Sequence, residues 1–211
     1  MAEGLRERKK ERTRQAISDT AIAMFLERGF DEVAVSDVAA AAEVSKPTVF
    51  RYFPAKEDLV LHRFADHRGE TARVVRARET GATPLAAVRR HFLDGLDRRD
   101  PVTGLCDSAD VLAFHRLVFT TPAVTARLAE LETSNLDELA DVLREAAGDR
   151  DGSPRPRLVA AQILAVHQVL ARENWRRLTT GGTADDTCAQ AVADAETAFA
   201  LLARGAAEDG Y

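Results

Sequence analysis

The residues best suited to recognition chemistry lie in one uninterrupted run, Ser45-Lys46-Pro47-Thr48-Val49-Phe50-Arg51-Tyr52-Phe53-Pro54-Ala55-Lys56, which contains no acidic side chain. Lys46 and Arg51 can donate to the guanine acceptors exposed in a major groove. Thr48 can bond a base or offer its methyl to thymine, and the Tyr52 hydroxyl can reach a phosphate. Lys56 brings a charge to the start of the next helix, where free backbone N–H groups already favour an anion. The run is punctuated as a helix of about two turns: Ser45 is a good N-cap, Pro47 suits the first turn, and Pro54 stops the helix after Phe53. Val49 and Phe53 lie four residues apart and turn inward, which leaves Lys46, Thr48, Arg51 and Tyr52 outward and Phe50 at the margin. A merely solvated surface has the same composition, so the elements that position this helix decide between the two readings.

Those elements precede it. A helix is predicted from about Glu7 to Arg28, with Ile17, Ala21, Met24 and Phe25 on one apolar face. Gly29 ends it as a left-handed cap, and Phe30 folds back on the last turn. A second helix spans roughly Val35 to Glu43, presents Val38, Ala39 and Ala42 inward and carries Ser36 in its first turn, before a tight connection through Val44. Two short helices joined by a tight turn and propped on an amphipathic helix form the geometry that projects one helix into a major groove.

Charge distribution fits that partner better than the net charge of -5 suggests. Residues 1–63 hold 11 Lys+Arg against 11 Asp+Glu, so the remainder, 18 against 23, carries the whole deficit. Arg6, Arg8, Lys9, Lys10, Arg12 and Arg14 cluster at the start, where a charged arm is as readily a solvated tail as a contact.

Other chemistries find no support. There is no HExxH, Glu-x-x-His, Gly-rich phosphate loop or serine elbow, so an enzyme built on a helical bundle is only a remote alternative. Cys106 and Cys188 lack metal-ligand spacing and are expected to be buried free thiols, and no metal or cofactor is indicated. Apolar runs are short and broken by charges, and the charged start lacks the apolar stretch of a signal peptide, so the expectation is a cytoplasmic protein that spans no membrane.

The rest of the chain reads as helix, since Ala, Leu, Arg and Glu dominate and apolar residues recur at three and four. Helices are expected over Lys56 to Arg78, Pro84 to Arg99, Asp107 to Thr120, Pro122 to Ala147, Arg157 to Thr179 and Asp185 to Arg204. The loop Gly148 to Pro156 and the tail Gly205 to Tyr211 lie between and beyond them. The fold class is therefore all-α with about nine helices: a helix-turn-helix DNA-binding domain over residues 1–55 and a larger helical domain over 56–211. Leu158 to Ala171 is apolar nearly all round, and Cys188, Ala191, Val192, Ala195, Phe199 and Leu202 form a small-residue stripe, so pairing the last two helices with a second copy would cover both. A core made wholly within one chain is the alternative. Phe92, Phe114, Phe119 and Trp175, with His91, His115, His167 and Asn174 among them, offer the aromatic walls and sparse polar groups of a small-molecule pocket, although aromatics at helical spacing also serve as plain core.

The stretch Arg14 to Leu59 resembles the TetR repressor family as a connected whole: Glu27-Arg28-Gly29-Phe30, then Val35, Asp37, Val38 and Ala39, then Val44-Ser45-Lys46-Pro47-Thr48-Val49-Phe50-Arg51-Tyr52-Phe53-Pro54-Ala55-Lys56-Glu57-Asp58-Leu59. The resemblance implies a homodimer that binds a palindromic double-stranded DNA operator and is released by a small-molecule effector. It implies base contacts near Lys46, Pro47, Thr48 and Phe50, and phosphate contacts near Tyr52 and Lys56. Two positions depart from the family's habit. Ala34 stands where Thr usually caps the second helix, leaving Ser36 or Asp37 to compensate, and Glu43 stands where Gly usually makes the turn, at a cost on the order of 1 kcal/mol. A constitutive architectural DNA-binding protein without an effector is the nearer alternative.

Overall fold

A computed structural model describes residues 2–148 and 152–206, and every regular element among them is helical. In chain order the helices are α1 Ala2–Arg28, α2 Val35–Ala41, α3 Lys46–Tyr52, α4 Asp58–Leu61, α5 Glu70–Arg76, α6 Pro84–Asp97, α7 Ala109–Thr120, α8 Pro122–Ala147, α9 Arg155–Thr179 and α10 Ala184–Ala206. Short 3-10 segments cover His62–His67 and Pro101–Thr103. Residues 149–151 of the expected loop and 207–211 of the expected tail lie outside the described residues, as does the Arg6 side chain. Among the described residues no helix is long and apolar enough to cross a membrane.

The chain folds into two compact units. The first comprises Met1–Asp66 with Ala113–Glu130, and the second His67–Leu112 with Leu131–Tyr211. The first unit extends past residue 55 and takes in the end of α7 and the start of α8.

In the first unit Ile17, Ala21, Ile22 and Phe25 of α1 are buried against Val38, Ala39, Val49, Phe53, Leu59, Val60 and Leu61, while Met24 stays half-buried. Each fully buried Phe or Leu here contributes roughly 1.5–3 kcal/mol of transfer free energy, which is what holds these short helices in place. Gly29 ends α1 at φ 93, and the Phe25 and Phe30 ring centroids lie 4.9 Å apart, so the chain folds back as the glycine cap requires. The buried Ser18 hydroxyl donates to the Leu59 carbonyl at 2.7 Å and ties α1 to α4.

The second unit has its own core. Leu85, Val88, Phe92 and Leu96 of α6 pack with Leu139 and Leu143 of α8, Ile163 and Leu170 of α9, and Ala191, Ala195 and Phe199 of α10. The small residues Ala191 and Ala195 keep α10 close to both α6 and α9. Cys106 and Cys188 are half-buried thiols rather than fully buried ones.

The single helix expected over Lys56 to Arg78 is instead three pieces, which raises the α-helix count among the described residues to ten. Gly69 adopts φ 63, its N–H donates to Asn135 Oδ1 at 3.3 Å, and an added Cβ would collide with the Glu138 carboxylate. The close approach of α8 sets this break. Local propensity alone reads through it.

At Gly104 (φ 74) an added Cβ would strike the Ala171 carbonyl. At Gly29 nothing lies within 4 Å. Gly104→Ala should therefore cost about 2–5 kcal/mol from left-handed strain plus the clash, and Gly29→Ala only about 1–2 kcal/mol from strain alone. Urea denaturation of the two variants checks the difference; equal costs would contradict it.

Candidate nucleic-acid interface

The α2–α3 connection is built by backbone bonds of the Schellman type. The Val44 N–H donates to the Ala39 carbonyl at 2.9 Å and the Glu43 N–H to the Ala40 carbonyl at 3.2 Å. Glu43 takes the left-handed conformation at φ 54 that glycine would adopt without strain. At the other end of α2 Ala34 makes no side-chain cap, and the Asp37 carboxylate accepts the Ala34 N–H at 3.1 Å, which is the reciprocal half of a capping box. Ser36 is exposed in the first turn of α2 and makes no part of that cap.

α3 starts where Ser45 caps it. Ser45 Oγ accepts the Thr48 N–H at 3.2 Å and lies 2.8 Å from the Thr48 hydroxyl. Val49 and Phe53 are 0% and 1% exposed, which fixes the rotation of this helix of seven residues about its axis. Ser45, Lys46, Pro47, Phe50 and Arg51 are exposed in consequence, and Thr48 and Tyr52 are half-buried. The cations lean on the aromatics of the same face: Lys46 Nζ lies 5.9 Å from the Phe50 ring centre, and the Arg51 guanidinium 5.4 Å from that of Tyr52.

Lys56 is differently placed from a free cation at a helix start. It is half-buried, donates to the Phe30 carbonyl and sits 4.3 Å over the Phe30 ring and 5.5 Å over Phe25. α4 begins two residues later, and the Ala55 N–H is taken by the Asp58 carboxylate at 3.0 Å. Lys56 thus braces the α3–α4 junction against the end of α1, with further N–H donors left on its ammonium.

Sequence reasoning missed the partner of Asp58. The Arg127 guanidinium of α8 donates Nε to Asp58 Oδ1 at 2.9 Å and Nη2 to Oδ2 at 3.3 Å. Asp58, ahead of Glu130, holds the Arg127 pKa above its ordinary value. In the sequence Asp58 is marked only as part of the stretch that resembles the family, and nothing near it points 69 residues ahead.

The expected pocket residues fall in both units. In the second, Phe92 stacks on His167 with centroids 5.2 Å apart, His91 Nε2 lies 3.3 Å from Glu70, and Trp175 is half-buried. Asn174 is buried and donates to the Thr103 carbonyl at 2.9 Å, a tie between α9 and the neighbouring turn. In the first unit Phe114 lies 5.5 Å from Phe64 and 5.2 Å beneath the Arg63 guanidinium, and His115 lies 5.5 Å from Phe119. Glu70, which no local motif marked, accepts from His67 and His91. These hydrogen bonds, that of His67 foremost, hold its carboxyl well below the usual carboxylate range despite burial.

Residues 17–62 match the bacterial regulatory proteins of the tetR family. The chain is 33% identical over 179 residues to the HTH-type transcriptional regulator TcmR of Streptomyces glaucescens, covering 84% of this chain and 79% of that protein. The chain belongs to the tetR family. A putative mycofactocin biosynthesis transcriptional regulator, MftR of Mycobacterium tuberculosis, is 25% identical over 81% of this chain and 83% of its own length. Among solved structures, NalD, the secondary repressor of the MexAB-OprM multidrug efflux pump in Pseudomonas aeruginosa, has the same fold. It superimposes at TM-score 0.59 with 18% identity, over 90% of this chain and 96% of that one. This tetR-family chain is accordingly all-α, with an N-terminal helix-turn-helix, and is a DNA-binding transcription regulator.

Burial pushes the His115 and His167 pKa values down to about 4. Between the ordinary value of 6.5 and about 4 the unfolded chain binds protons that the folded one refuses. Stability should therefore be flat above that window and fall as pH drops through it, by roughly 2 kcal/mol per histidine at pH 5. Urea midpoints at pH 7, 6 and 5 measure this, and His115→Phe should flatten the slope. A midpoint independent of pH in that range would contradict the burial of neutral imidazoles.

Proposed function

We propose that this protein is a ligand-responsive repressor, cytoplasmic and homodimeric, that reads a palindromic operator through residues 1–55 and binds its effector and its second copy through residues 56–211. The observation that carries the DNA reading is the acid-free exposed face of α3, held outward by fully buried Val49 and Phe53. Lys46, Thr48, Phe50 and Arg51 face base edges, supported at the turn by Ser45 and Pro47. Ser36, Tyr52 and Lys56 take phosphates, Lys56 through the donors not spent on Phe30.

The dimer reading rests on apolar side chains left uncovered within one chain. Leu158 and Val169 of α9 are 57% and 65% exposed, and Leu201 of α10 is 60% exposed. Ala161 and Ala165 continue the α9 strip at helical spacing. A second copy laying the same two helices against these would bury them.

The effector reading draws on the aromatic and imidazole groups His91, Phe92, His167 and Trp175. It also draws on a neighbour of the same fold, FadR of Bacillus subtilis, solved in complex with stearoyl-CoA at TM-score 0.51 and 20% identity. A ligand that binds one of two dimer states better shifts the population away from the DNA-competent spacing.

Selection of bound duplexes from a random pool tests the DNA reading. The expected product is a palindrome with half-site centres about 34–36 Å apart. Arg51→Ala with Thr48→Ala should shrink discrimination between that site and random DNA by about 1–3 kcal/mol per lost contact. An unchanged ratio would count against base readout. Lys56→Ala should weaken both DNAs alike and reduce the salt slope by about two, one for each protomer.

A further inference from the structure

We infer that the beginning of α1, ahead of the residues that match the family, is a second DNA-contacting surface that grips phosphates through Arg8, Lys9 and Arg12. The inference rests on the DNA reading above and adds to it a strip that lies outside residues 17–62.

A basic start reads by composition as a solvated arm, but here it is helix, continuous from Ala2 to Arg28. At about 100° per residue, Arg8, Arg12 and Lys9 fall within roughly one 100° arc. All three are exposed, and the buried positions Ile17, Ala21 and Phe25 lie on the other side. The one acid between them is turned out of the strip: Glu11 Oε1 lies 3.4 Å from His62 Nε2. The next acid, Asp19, accepts from Gln15 Nε2 at 2.9 Å.

The strip is anchored beside the recognition helix. The Arg14 guanidinium lies 5.5 Å over the ring of Phe53, the residue that ends α3, and Ser18 is bonded to Leu59. Arg8 is six residues before Arg14 in the sequence, about 9 Å along the axis. From Arg8 to Arg12 is about 6 Å, and phosphates advance about 3.4 Å along each strand, so the strip spans about two steps and reaches up to three successive phosphates. Since the cations are carried on a preformed helix, little backbone entropy is lost when they bind. Nothing in the strip is shaped to read a base, so the added grip is independent of sequence.

The test uses the full chain. Wild type, the triple variant Arg8→Gln/Lys9→Gln/Arg12→Gln and a charge-matched control at exposed arginines outside α9 and α10, Arg89→Gln/Arg90→Gln/Arg98→Gln, are titrated with the selected site and a scrambled duplex between 50 and 200 mM salt. Three lost phosphate contacts per protomer, six per dimer, should shrink the affinity drop across that range by about three orders of magnitude, leave the ratio between the two duplexes unchanged and shorten the hydroxyl-radical footprint at its edges. The control should keep the wild-type drop. A triple variant with the wild-type salt dependence and footprint overturns the inference, as does a control that changes as much as the triple, which would mean a general field effect. A wild-type chain that binds neither duplex overturns the DNA reading and this inference together.

Discussion

The presented face of α3 depends on two side chains, Val49 and Phe53, being driven completely out of water. A helix of seven residues is far too short to be stable alone, because nucleation costs more than so few hydrogen bonds return. Its existence and its rotation about its own axis are therefore borrowed from the core of the first unit. Once those two residues are fixed inward, the remaining positions have no freedom, and Lys46, Phe50 and Arg51 must face solvent. The face presented to solvent is thus set by burial on the opposite side.

Polar braces then hold the junctions that burial cannot orient. Ser18 on the Leu59 carbonyl, Lys56 on the Phe30 carbonyl, and Asp58 shared between the Ala55 N–H and Arg127 converge on the segment that follows α3. Each satisfies a group that would otherwise be costly to leave unpaired in a half-buried place. The Asp58–Arg127 pair is bidentate and directional, so it positions the exit of the recognition helix against α8 more tightly than a surface ion pair could. The Schellman turn at Glu43 tolerates its strain because both of its carbonyl partners are met.

The second unit follows different rules. Its core is aliphatic and alanine-rich, with half-buried ionisable groups at its margin: Glu70 between His67 and His91, and His167 stacked on Phe92. Retaining such groups costs desolvation that an apolar core would not incur. Its outer α9 and α10 surfaces keep Leu158, Val169 and Leu201 in water, an arrangement that one chain by itself leaves uncompensated.

By itself the sequence determined whatever is local. The helical class, the Ser45 cap, the glycine end of α1 and the inward pair Val49 and Phe53 all follow from spacing and backbone preference within a few residues, and the left-handed Glu43 from the family resemblance. The tertiary structure alone decided what depends on partners distant along the chain. The break at Gly69 comes from the approach of Asn135 and Glu138, the Asp58–Arg127 pair joins residues with no common motif, and Asn174 is bonded to the Thr103 carbonyl 71 residues away. The physical reason is that periodicity records which side of a helix seeks burial and carries no information about which distant polar group will meet it there.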